Sequence, residues 1–241
     1  MGQQVRVHRD LQFVGVASHT DNIEGNPSTK RMCIADYFWY DSQANYTVTL
    51  GGTNDAVAAI AGGINGLSLL SGDTDNEVGA LATGLIFDIT QSPEIETKVA
   101  MTTLTETSFF FGFGDSTTIT TPASTIDYAD GTLADAITDG CGFVSDADKS
   151  TSLFYAAYVK TGGSVAAVTT GITPVASAYN VLRIKLDTSG NATFYVDGVV
   201  KAFKAAAVTD VPLCAIFNFG TRGNGGGDAV YVKYLKMWQD V

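Results

Sequence analysis

The chain has 241 residues, 45% of them hydrophobic and 16% charged, with a formal net charge of −11. That balance excludes a disordered chain, and the acidity excludes general binding to a phosphate backbone. The length suits one large all-β domain, or one such domain plus an arm, able to bury a core without disulfide staples.

The first fifty residues read as an N-terminal arm or attachment segment, and residues 51–241 as the domain proper. "LQFVGVAS" and "RMCIADYFWY" flank the polar loop "TDNIEGNPSTK". The aromatic run Tyr37–Tyr40 reads as a strand covered on both faces, or as part of an arm packed on another subunit. Residues 1–32 hold Arg6, Arg9, Lys30 and Arg31 against Asp10, Asp21 and Glu24, whereas the remainder is strongly acidic. His8 and His19 also lie here, and no G-x-S-x-G elbow accompanies them. The opening "MGQQVRVHRD" has no apolar stretch of the export-signal kind, and Arg6 stands where a myristoylation signal needs Ser or Thr. No run is apolar enough over a sufficient length to cross a bilayer.

Further along, "NYTVTL" (45–50), "INGLSLL" (64–70) and "EVGALA" (77–82) read as short strands. The Ala-rich "NDAVAAIAGG" (54–63) is the one helix-like run, stopped by its double glycine. Between them "SGDTDNEVG" packs Asp73, Asp75, Asn76 and Glu77 into a loop that reads as a solvated acidic turn, since the later ligands of a calcium loop are missing. "DADK" (146–149) reads the same way.

Strands follow at "EIETKVAMT" (94–102), "SFFFGFG" (108–114), "GCGFV" (140–144), "LFYAAYV" (153–159), "LCAIFNFG" (213–220) and "AVYVKYLKMW" (229–238). All are rich in β-branched or aromatic residues and bounded by turn residues. "VLRIKL", "ATFYV" and "VVKAF" form an antiparallel meander, with Asp197-Gly198 as a two-residue hairpin turn. The Gly-rich "GTRGNGGGDA" (220–229) lacks the Lys-Ser/Thr of a phosphate loop and reads as a flexible connection between the last two strands. Glycoside hydrolysis needs two carboxylates facing each other across the scissile bond, and Glu94 and Glu96 alternate onto one face of a strand that could line a groove. Charges on an exposed sheet edge are the preferred reading. Cys33, Cys141 and Cys214 show no metal or redox spacing and predict free thiols in a reducing setting.

The segments "GGINGLSLLSGDTDNEVGAL", "PEIETKVAMTTLTETSFFFGFGD", "GCGFVSDADKSTSLFYAAYVK", "YNVLRIKLDTSGNATFYVDGVV" and "VYVKYLKMWQD" together resemble the concanavalin A-like, or laminin-G-like, jelly roll over Gly62–Asp240. The resemblance implies an all-β sandwich and leaves function open. Within that superfamily the chain looks most like tailed-bacteriophage virion proteins of the capsid-decoration or head-fibre type. This implies a structural protein and not an enzyme, made in the host cytoplasm and placed on the capsid exterior. It further implies a homotrimer contacting the major capsid protein, with Arg6, Arg9, Lys30 and Arg31 as capsid contacts. No catalytic residue, metal ligand, cofactor, nucleic acid or membrane is expected. The family-16 glycanase signature is not matched by "PEIETKV", where Thr97 stands in the middle. The alternatives are a carbohydrate-binding module of a receptor-binding fibre, with Tyr155 and Tyr158 as candidate sugar platforms, and then a glycanase.

Overall fold

The computed structural model describes residues 31–38, 46–52, 55–59, 66–72, 74–149, 153–223 and 228–240. Seventeen strands run through these residues: β1 (Arg31–Asp36), β2 (Thr47–Leu50), β3 (Ala56–Ala59), β4 (Leu67–Leu70), β5 (Val78–Ala82), β6 (Glu94–Met101), β7 (Thr107–Gly114), β8 (Ile126–Ala129) and β9 (Thr132–Asp135) come first. They are followed by β10 (Gly140–Asp146), β11 (Tyr155–Val159), β12 (Ala166–Thr169), β13 (Asn180–Leu186), β14 (Ala192–Val196), β15 (Val199–Lys204), β16 (Cys214–Thr221) and β17 (Ala229–Asp240).

Two antiparallel sheets face each other as a sandwich, the jelly-roll architecture expected from the sequence. One has the order β15-β14-β13-β6-β17-β4-β3, with β1 also on β17. The other runs β12-β11-β10-β7-β16-β5-β2. β17 is long enough to pair with two strands along one side: Ala229–Val232 with β4, and the stretch from Leu235 to Asp240 with β1. Residues 31–36 and 47–50 thus contribute one strand to each sheet.

Period-two alternation sets the core. Ile95, Val99, Leu182, Ile184, Phe194, Val230 and Leu235 face inward from the eight-stranded sheet, and Phe109, Phe111, Phe113, Phe143, Phe217 and Phe219 from the seven-stranded one. Phe111 and Phe217 are stacked, with centroids 4.8 Å apart, and Phe87 meets Phe113 edge-on. Each such buried ring contributes about 1.5–3 kcal/mol of transfer free energy.

A second apolar cluster lies on the outer face of the seven-stranded sheet. There Phe110, Val144, Tyr155 and Ile216 meet Ile119, Ile126, Tyr128 and Ile137 from residues 115–139, which fold over the sheet and include the β8–β9 hairpin. The cross-strand pairs Gly112–Gly142 and Gly114–Gly140 make room for this cover. A Cβ at Gly140 would lie 2.3 Å from Ile137 Cδ1, and one at Gly142 would lie 2.4 Å from Phe110 Cε2.

Two elements differ from the sequence reading. The described part of the Ala-rich run is strand and not helix: Ala56–Ala59 pair with β4, because a sheet edge beside the core outweighs a weak helix preference. β6 is not an edge strand: it lies between β13 and β17, in the interior of the larger sheet.

Candidate functional site

Arg222 follows directly on β16 and gathers four segments at one end of the seven-stranded sheet. Its Nη2 donates to Asp127, to Asp146 Oδ2 at 3.0 Å and to the Tyr128 carbonyl at 2.8 Å. Nε donates to Asp146 Oδ1 at 3.1 Å, and Nη1 donates to Asn76 Oδ1. Asp148 Oδ2 lies 3.6 Å from Nε. The side chain is 5% exposed, and those of Asp127 and Asp146 are 1% and 0%. A planar guanidinium with five donors suits this convergence of oxygens in a way that an ammonium would not.

Local sequence sets up each partner. Asp146 ends β10 and accepts the Asp148 N–H at 3.1 Å, closing a turn, while its other oxygen accepts the Tyr128 N–H. Asp130-Gly131, with φ of 49° and 77°, makes the tight β8–β9 turn, and the Asp130 N–H points to Asp148 Oδ2. Asn76, at φ 66°, sits in the left-handed region that asparagine tolerates. Its N–H donates to the Thr221 carbonyl at 2.8 Å, and the Thr221 N–H donates to the Glu77 carbonyl at 3.0 Å, so the 74–77 turn is pinned to the end of β16. Burial would lower the Arg222 pKa, but the Asp146 and Asp127 carboxylates outweigh it and push it up. Burial raises Asp127 against the opposing pull of Arg222.

Beside this anchored cation opens a cavity of about 360 Å³ lined by Asp75, Asn76, Ala129, Asp130, Asp148, Arg222 and Gly223. Asp75 and Asn76 of the acidic turn, Asp148 of the "DADK" turn, and Arg222 and Gly223 of the glycine-rich stretch thus meet in one polar concavity, although the sequence reads the first two as solvated turns and the third as a flexible connection. The fourth contributor, the β8–β9 turn, was missed in the sequence; its signal was the Asp-Gly pair between "IDYA" and "TLAD".

A second array of charged groups lies on the outer face of the eight-stranded sheet. Register places Tyr195, Arg183, Glu96 and Lys236 in one row across four strands, and Lys185, Glu94 and Trp238 in the next. Arg183 Nη1 reaches diagonally to Glu94 Oε1 at 2.7 Å, and its guanidinium lies 3.9 Å from the Tyr195 ring centroid. Glu96 Oε1 accepts from Lys236 Nζ at 3.3 Å and from the Tyr234 hydroxyl at 3.0 Å. Burial, then the charge of Glu96 and this hydrogen bond, push the Tyr234 pKa up. Glu94 and Glu96 are buried, at 0% and 1% exposure. The reading of both as exposed edge charges is therefore corrected: they stand on an interior strand, each held by a cation.

The remaining candidates separate. Arg6, Arg9, Lys30, His8 and His19 lie outside the described residues. Arg31 opens β1 opposite Asp240 of β17. Tyr155 is buried against Tyr128, with ring centroids 5.4 Å apart, and so is not a surface platform. Tyr158 is half-buried under Lys204, whose Nζ lies 4.4 Å from its ring centroid. Cys141 and Cys214 are free and buried. Burial raises both thiols, Cys214 to about 12, so neither is a ready nucleophile.

No protein-family model and no curated protein matches the chain. Solved structures do. The laminarinase catalytic domain from Thermotoga maritima superposes with a TM-score of 0.61 at 12% identity, covering 88% of this chain and 99% of that one. The β-glucanase of Bacillus licheniformis gives 0.60 at 13%, covering 85% and 97%. The carbohydrate recognition domain of Emp47p gives 0.58 at 12%, covering 86% and 95%. At these identities the likeness shows the fold, a concanavalin A-like sandwich. It also corrects one expectation. The chain was read as no enzyme, yet a β-glucanase and a laminarinase catalytic domain carry this same architecture. The fold therefore gives no ground for setting glycanase chemistry aside.

Proposed function

We propose that this chain is a carbohydrate-binding domain and that the cavity beside Arg222 is its glycan site. One observation carries the reading: a polar concavity in which an immobilised guanidinium, the Asn76 amide and the carboxylates of Asp75, Asp130 and Asp148 line a common wall. A sugar presents neighbouring hydroxyls that donate and accept in turn. Carboxylates accept from them, Asn does both, and a guanidinium donates. Because Asp127 and Asp146 hold Arg222 before any ligand arrives, little side-chain entropy is lost on binding. Neighbours of the same fold include a carbohydrate recognition domain, a β-glucanase and a laminarinase, which supports a glycan over a capsid protein as the partner. The test is a glycan array followed by titration calorimetry, with Asn76→Gly and Asp130→Ala as variants. Wild-type binding that both variants weaken at least about tenfold supports the pocket. An array without hits overturns the reading.

A second reading, glycan hydrolysis, is favoured by the carboxylate row. Glu94 and Glu96 lie two residues apart on one face of an interior strand, with Tyr195, Tyr234 and Trp238 on the same sheet face. A general acid and a nucleophile or base are what glycoside cleavage requires. Reducing-sugar release from laminarin and mixed-linkage β-glucan tests it. Activity lost in both Glu94→Gln and Glu96→Gln supports it, and turnover that survives both excludes the pair.

A further inference from the structure

Two local irregularities converge on one exposed ring. The first is in β17, where Val232 and Leu235 are both core residues although two residues, and not one, stand between them. This bulge turns Lys233 and Tyr234 together toward the outer face of the eight-stranded sheet, as bulges that re-aim side chains do. Tyr234 reaches Glu96, while Lys233 Nζ lies 5.4 Å from the centroid of the Tyr179 ring. Lys98, two residues beyond Glu96 on the same face of β6, approaches that ring at 5.5 Å. Both ammonium groups are within reach of a cation–π contact. The second irregularity sets the ring itself. Ser177, at φ 61°, is in the left-handed region. Its N–H donates to the Met101 carbonyl at 2.6 Å, and the Ala178 N–H donates to the Val175 carbonyl at 3.0 Å. The turn before β13 is thereby tied to the end of β6, and it delivers Tyr179 onto the sheet with 37% of its surface exposed. Lys98 and Lys233 beside it are half-buried.

This corner belongs to a basic face of an acidic protein. Lys98, Arg183, Lys185, Lys233 and Lys236 lie on it, five of the ten Lys and Arg residues that follow Arg31. Register sets Glu94 and Glu96 against them, with Asp240 at the far end opposite Arg31. Arg183 is held by Glu94 and Lys236 by Glu96, whereas Lys98 makes no ion pair among the described residues. The Asp197 carboxylate, in the β14–β15 turn, is occupied by the Asn180 amide and the Val181 N–H. We infer that Tyr179, Lys98 and Lys233 form a binding site for an anionic sugar, a uronate or a sulfate ester within a glycan chain. Its acidic oxygens accept from the two ammonium groups, and the C–H face of the sugar ring rests on the exposed part of the aromatic ring. The net charge of −11 does not forbid this, because salt screens charges more than about 8 Å away at physiological ionic strength. The choice of a sugar over an acidic peptide rests on the carbohydrate reading; the anion site does not, and it lies on the other sheet from the Arg222 cavity.

The experiment is calorimetric titration of the full chain with a galacturonate oligomer, its methyl ester and a sulfated galactan oligomer, each at low and high salt. At least one acidic oligomer should bind, about tenfold or more tighter than the uncharged methyl ester, with an affinity that falls as salt rises; which one binds identifies the anion as carboxylate or sulfate. Lys98→Met and Lys233→Met keep the apolar stem and remove the charge, so each should weaken the acidic oligomer about tenfold while the protein still unfolds cooperatively. Lys98→Gln repeats the test if Lys98→Met does not fold. Asn76→Gly and Asp130→Ala, in the Arg222 cavity, should leave this binding unchanged. The site is overturned if neither acidic oligomer binds, if the methyl ester binds as well as the acid, or if binding survives both lysine variants. Polyglutamate that binds as tightly as the acidic sugars overturns the sugar as occupant. Anion binding that is lost only in the cavity variants overturns this corner and leaves the glycan reading standing. Anion binding here, with no glycan bound at the cavity, overturns the cavity reading alone.

Discussion

The Arg222 cluster and the Glu94–Glu96 row are both buried charge arrays, but they are built in opposite ways. Strand register makes the row: neighbours on β14, β13, β6 and β17 are brought side by side by hydrogen-bonded pairing, and alternation puts them on one face. Loops make the cluster: its members come from the 74–77 turn, the start of β8, the end of β10 and the residue after β16. The row balances two cations against two carboxylates. The cluster sets one cation against three. A register-built array distributes its dependence across many backbone bonds, whereas the loop-built one depends on a single side chain.

The sharpest way to break this contrast is to remove that side chain. Arg222→Leu leaves Asp127 and Asp146 buried without their cation and should cost about 3–5 kcal/mol in urea unfolding. Arg222→Lys should recover only part of this, because a point charge cannot reproduce the fork. In the row, Glu96→Gln keeps an oxygen for the Tyr234 hydroxyl and removes one charge, so a smaller loss, about 1–3 kcal/mol, is expected by the same measurement. If the two losses are equal, the contrast fails.

Acidification sharpens it further. Burial raises Asp127, so between the ordinary carboxylate range and its higher folded value the native state holds a proton that the unfolded chain has released. Stability therefore falls as pH rises through that window, and Asp127→Asn should flatten this slope in urea unfolding measured at stepped pH. The smallest effect belongs to Asp187. Burial opposes ionisation there, but hydrogen bonds from Asn191 and Ser189 prevail and hold its pKa below the ordinary value. Its contribution is present above that value and is lost as pH falls through the folded one, so wild type and Asp187→Ala should converge in acid.

Much of the sandwich was legible because alternation and turn chemistry are local. Asp197-Gly198, at φ 50° and 78°, is the tight turn its sequence announces. Composition misled at Ala56–Ala59, where helix preference met a sheet edge. The carboxylate pair was visible as a pair, but strand order is a long-range property, so an interior strand was read as an edge. The Arg222 cavity was the least legible part. Asn76 and Arg222 lie 146 residues apart, and no single segment carries a sign of the others.

The interior strands β16 and β17 have a further consequence, which concerns synthesis. β16 lies between β7 and β5, and β17 lies between β6 and the β4 and β1 pair. Both are the last strands in the sequence. A nascent chain therefore holds two split sheets, with the inner edges of β7, β5, β6 and β4 open and β1 wholly unpaired, until residues 214–240 have left the ribosome. Pairing so distant in sequence is slow to form, and open edges invite association with other chains. A translation product stopped before residue 214 would not be a smaller jelly roll; it would be a client for chaperones and proteases.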